Sequence, residues 1–264
     1  MHDLLSLNLK RVQNLFQMDL HRMLYGKAFY VMIGITVFIP VMMLTQMSDV
    51  KDITMFIGSD VVSSGSFGAG MNLSMQNILT GMLLSIYIGK EYSTGFIKNI
   101  ITVHANKYDY LMSKGLLALL CNIVFVVVYL ITLFVLGAVM GLPAEISSMI
   151  GMALYIIEKL LLSIPMSMLM IAINMIFRRS YGWSISFICI AATGIVVMSI
   201  QMGLQMLGFG TLANLLNFTI TGASAFTTTT PNIVSLLAVI FISIAWTLVC
   251  SFTANFLMNK KDVI

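Results

Sequence analysis

The chain has 264 residues, 59% of them hydrophobic and only 9% charged, where a soluble domain carries about 25% charged residues; its solvent is therefore a bilayer. The length suits one membrane domain and leaves no room for a sizeable soluble one. The net charge of +4 does not call for nucleic acid, because Lys and Arg of a membrane protein collect on its cytoplasmic side.

Residues 1–26 precede the first long apolar run. Leu5, Leu9, Val12, Phe16, Leu20 and Met23 recur at three- and four-residue steps, with Lys10, Gln13, Asn14, Gln17 and His21 largely on the other side. This pattern predicts an amphipathic helix in the cytoplasmic interface that anchors the first span. No small-residue cleavage site follows the first apolar run, so no cleavable signal sequence is expected.

A spanning helix needs about 20 mostly apolar residues. Six stretches qualify, at 27–47, 70–89, 115–140, 150–177, 181–207 and 232–258, and residues 259–264 form a short tail. The second stretch is the most polar, with Asn72, Ser74, Gln76, Asn77 and Thr80 in its first half. Its second half sets Gly81, Ser85 and Gly89 four residues apart, a stripe that admits close approach of another helix. The fourth carries Glu158, Lys159 and Pro165, and the fifth carries Gln201 and Gln205 one turn apart. Between the last two spans, "GFGTLANLLNFTITGASAFTTTTP" has no charge. Around Leu212–Ile220 it reads as a re-entrant or interfacial helical segment, the alternative being a loop on the outer surface.

Charge fixes the expected orientation. Lys10, Arg11, Arg22, Lys27, Lys90, Lys98, Lys107, Lys114, Arg178, Arg179, Lys260 and Lys261 all fall on one side of the six spans. The other side has Lys51 alone, with Asp49, Asp52, Asp60 and Glu145, and Lys159 lies within a span. Both termini are thus expected in the cytoplasm.

The motifs of common chemistries are missing. No GxxxxGK[ST], HExxH or GxSxG occurs. Cys121, Cys189 and Cys250 sit in apolar runs without metal spacing, as packing residues do. No enzyme site and no cofactor follow from this chain. Glu158 and Lys159 admit two readings: both snorkel to the outer interface, or both line a cavity or subunit interface. Gln201 and Gln205 likewise read as helix glue or as part of a translocation path. Few buried carboxylates and no clear repeat argue against an ion-coupled secondary transporter, the competing class.

The densest charge lies in "GKEYSTGFIKNIITVHANKYDYLMSKG". Within it, residues 92–103 predict a short helix capped by Ser93 or Thr94. Phe96 and Ile100 share one face, as do Ile97 and Ile101. A short cytosolic helix with an apolar stripe needs a groove or a lipid surface to lie on. This stretch and the six-span layout resemble the permease subunits of type-2 ABC exporters. The matching features are Glu91 at the end of the second span, Thr94–Gly95, the helix from Phe96 to Ile101 with Lys98, and then Lys107, Tyr108, Tyr110 and Lys114. The order Thr–Gly is reversed from the family's usual Gly–Thr, Lys107 stands where many members have Arg, and the Pro that often precedes it is absent.

The resemblance implies an all-α membrane protein with a coupling helix at 92–103. It implies docking on an ABC ATPase subunit in two copies, pairing with a second permease of the same or a homologous chain, and ATP and Mg bound by the ATPase alone. It further implies export through the bacterial cytoplasmic membrane, and among family members this chain resembles permeases for peptide export and bacteriocin self-protection.

Overall fold

The computed structural model describes residues 2–46, 73–97, 107–142, 149–177, 185, 196–197, 199–220 and 233–260. The regular structure among them is helical: α1 (His2–Leu24), α2 (Lys27–Gln46), α3 (Leu73–Ser93), α4 (Lys107–Met140), α5 (Met149–Phe177), α6 (Gly210–Leu215) with a 3-10 turn at Leu216–Phe218, and α7 (Ile233–Lys260). Residues 199–206 are also helical, whereas most of the expected fifth span, 181–207, lies outside the described residues.

α4, α5 and α7 are long and apolar enough to cross a membrane. α1 and α2 qualify only as a bent pair, turning by 69° between Leu24 and Lys27. The turn is tight because Gly26 lies against α3. A β-carbon there would stand 1.9 Å from the Tyr87 hydroxyl, which itself donates to the Met23 carbonyl at 3.0 Å. The same carbonyl also accepts from the Gly26 backbone N–H at 2.9 Å, so the helix end is closed from both sides.

The predicted amphipathic α1 exists, but its inner face meets protein. Leu15, Asp19 and Met23 are buried, one turn apart, with Phe16 and Leu20 half-buried beside them. Lys10, Arg11, Gln13, Asn14, Gln17 and His21 are exposed. The buried face packs on α4, which starts at Lys107, not near 115. At 1.5 Å per residue its 34 residues run about 50 Å. That exceeds a hydrocarbon core of about 30 Å, so its charged first turns extend beyond the apolar part.

The most polar predicted span is the central helix. Between Gln76 and Glu91, only Ile78, Met82, Ile86 and Lys90 of α3 escape burial, at four-residue intervals. Gln76, Asn77 and Thr80 face inward. Asn122 of α4 donates to the Asn77 side chain at 3.1 Å. Asn174 of α5 donates to the Ser85 hydroxyl. The small-residue stripe faces α5, where a β-carbon on Gly81 would lie 1.7 Å from the Met170 sulfur. Gly81→Val should therefore cost about 1–3 kcal/mol by overpacking, read as a lower thermal midpoint in detergent. Combined with Met170→Ala, the loss should be smaller than the two single losses together.

α6 and the following turn reach deep along α7. The Trp246 indole donates to the Phe218 carbonyl at 2.8 Å. Trp246 lies half-way along the 28 residues of α7, about 20 Å from its first residue. Ile220 packs on the main apolar core.

Candidate functional site

Where α1, α3 and α4 meet at their charged ends, a polar cluster is buried. Its members come from three separate stretches of sequence. Asp19 and Arg22 sit one turn apart near the end of α1, Glu91 near the end of α3, and Tyr110, Ser113 and Lys114 on the first turns of α4. The Lys114 ammonium is 2.8 Å from Asp19 and 2.7 Å from Glu91. Arg22 reaches the same Glu91 oxygen at 2.9 Å. Tyr110 donates to the other Glu91 oxygen at 2.7 Å, and Ser113 donates to Asp19 at 2.9 Å. Lys114 and Glu91 are each only 1% exposed.

Two carboxylates and two cations cancel, and every carboxylate oxygen has a donor. Such closure is what makes a buried charge tolerable, since an unpaired one is costly. The arrangement offers no nucleophile or proton shuttle at an open cleft. It is a mechanical joint, locking three helices at one end.

The joint lies directly before the turn at Thr94–Gly95. Gly95 has φ of 68°, a left-handed conformation that ends α3 with little strain only for glycine. Thr94 and Ser93 both donate their hydroxyls to the Lys90 carbonyl, at 2.8 and 3.0 Å. Both hydroxyls thus bond the last turn of α3, and helix resumes at residues 96–97, directly after the turn. Phe96 is half-buried, with the Arg22 guanidinium 4.3 Å from its ring centre, and Ile97 is 2% exposed. Part of the apolar stripe is thus covered by the chain itself. Lys98, Ile100 and Ile101 lie outside the described residues.

A family model described as ABC-2 family transporter protein matches residues 21–193, more than half of the chain. The chain belongs to this family. It is a multi-pass membrane protein and the permease component of an ABC transporter, a class of subunit that is not itself catalytic. Comparison with curated proteins and with solved structures gives no match.

The matched range includes the whole joint except Asp19, along with the turn that follows it. Glu91, Tyr110 and Lys114 stood out in the sequence, though not as a cluster, and Arg22 only as one of the one-sided basic residues; Asp19 and Ser113 were missed. The only available signal was Asp19 on the apolar face of α1, one turn from Leu15 and Met23.

The other residues considered for this permease do not converge. Glu158 and Lys159 are buried in α5, with the ammonium 5.2 Å from the Tyr155 ring centre. They do not snorkel to an exposed end of the helix. Gln201 is half-buried and donates to Asn217 at 3.0 Å, tying residues 199–206 to the turn after α6. Gln205 is exposed. Among the described residues, no group of three or more His, Cys, Asp and Glu side chains could hold a metal ion.

Proposed function

We propose that this permease couples the power stroke of a separate ABC ATPase to export, through the segment 92–103 that leaves the α1–α3–α4 joint. The observation that carries this reading is the position of the joint. Glu91, its central acceptor, lies three residues before the Thr94–Gly95 turn. Arg22 also bridges the joint to Phe96, one residue past that turn. A push on 92–103 would be shared at once by α1, α3 and α4, because their charged ends are cross-linked and have little freedom to yield singly. Two ATPases and two permeases, of the same or homologous chains, would make the transporter, with ATP and Mg on the ATPases.

In this reading six spans cross the bacterial cytoplasmic membrane with both termini inside. The segment around α6 re-enters from outside to about the level of Trp246 and caps the path. Gln201 and Gln205 border that cap, and Glu158 and Lys159, buried in α5, are further candidates for the path. The cargo is amphipathic or hydrophobic, of the antimicrobial or toxin peptide kind, since the described spans offer few polar groups outside their internal hydrogen bonds.

Detergent pull-down of the tagged chain from its native membrane, followed by an ATPase assay, tests this. An ATP-hydrolysing partner should co-purify. Ile100→Asp should remove it while the elution profile of the permease stays unchanged. Transport in proteoliposomes driven by an ion gradient without any ATPase would overturn the reading.

A further inference from the structure

The corner between α1 and α2 carries exposed positive charge without a counter-charge among the described residues. Lys27 follows Gly26, which lies against Tyr87 of α3, and Lys90 stands one turn beyond Tyr87. Both lysines are exposed and flank the same joint, with His21 exposed on α1 nearby. Neither lysine forms an ion pair among the described residues. The carboxylates described at this end, Asp19, Glu91 and Asp109, are all buried.

The corner also has the marks of a bilayer boundary. The exposed tyrosines among the described residues are Tyr25, Tyr30 and Tyr108, all at this end of the bundle. Tyr25, 79% exposed, lies tilted against His21 with ring centres 4.4 Å apart. Tyrosines concentrate where hydrocarbon gives way to headgroups. From the corner an exposed apolar stripe climbs α2 through Val31, Ile35, Phe38 and Met42. It is about 16 Å long at 1.5 Å per residue, close to one leaflet of a core about 30 Å thick.

We infer that this corner seats an anionic phospholipid, its phosphodiester between Lys27 and Lys90 and an acyl chain along Val31, Ile35, Phe38 and Met42. Unopposed ammonium groups select a headgroup of net negative charge over a zwitterionic one, because among the described residues no carboxylate is exposed there to meet a choline. The adjoining stripe selects a lipid over a free phosphate ester, which would leave that stripe unused.

The test uses the full chain reconstituted in vesicles containing equal amounts of phosphatidylglycerol and phosphatidylcholine. After re-extraction, the retained lipids are counted by mass spectrometry. Wild type should retain phosphatidylglycerol over phosphatidylcholine by about tenfold, falling in high salt. Lys27→Gln with Lys90→Gln, both exposed and so compatible with the fold, should bring the ratio near one with an unchanged elution profile. Soluble glycerol 3-phosphate in excess should not displace the lipid. Equal retention in wild type, an undiminished preference in the double variant, displacement by glycerol 3-phosphate, or a second copy of the chain closing the corner to lipid would each overturn the inference.

Discussion

Lys114→Met should be the most destabilising single change in the described part of this permease. It leaves the fold's shape nearly intact but strips the shared cation from Asp19 and Glu91, both buried. Breaking a buried ion pair from one side costs about 3–5 kcal/mol, a large part of the 5–15 kcal/mol typical of a folded protein. Little monodisperse protein should be recovered from membranes, and its thermal midpoint in detergent should fall sharply. Asp19→Asn added to Lys114→Met removes one of the stranded charges. The double variant should lose less than the sum of the singles, with a coupling of about 0.5–3 kcal/mol. A midpoint for Lys114→Met within a degree or so of wild type would show that the three helices do not depend on this joint.

Glu91→Gln should separate assembly from work. The amide keeps the side chain's shape and one acceptor oxygen, but it cannot hold Arg22, Lys114 and Tyr110 together as the carboxylate does. Under the proposed coupling, the variant still binds its ATPase through 92–103 but yields at the joint when pushed. Co-purification with the ATPase should persist, while substrate-dependent transport per ATP hydrolysed should drop about tenfold, the equivalent of about 1.4 kcal/mol of lost transition-state stabilisation. Equal loss of complex and transport would assign Glu91 to folding alone; full transport would dissociate the joint from coupling.

The apolar spans were legible because a bilayer leaves one dominant requirement, an unbroken helix with an apolar exterior. α5 and α7 accordingly fall within two residues of the stretches read from sequence. α3 was harder to see for the opposite reason. Its surroundings are protein, so Gln76, Asn77, Thr80 and Ser85 face other helices, and hydropathy undervalues the helix that the bundle buries most fully. The start of α4 was misplaced because Lys107, Asp109 and Lys114 look like loop residues until α1 supplies Asp19 as a partner for Lys114.

The sequence alone determined that this protein lives in a membrane. That follows from local composition, where each residue's transfer free energy adds with little regard to its partners. Only the tertiary structure decided what Glu91 contacts. Its charge is stabilised by Arg22, which lies 69 positions away, and by Lys114, 23 positions away. No period or spacing encodes a contact between helices so distant in the chain. The same folding decided which of the basic residues are spent inside and which, like Lys27 and Lys90, remain exposed.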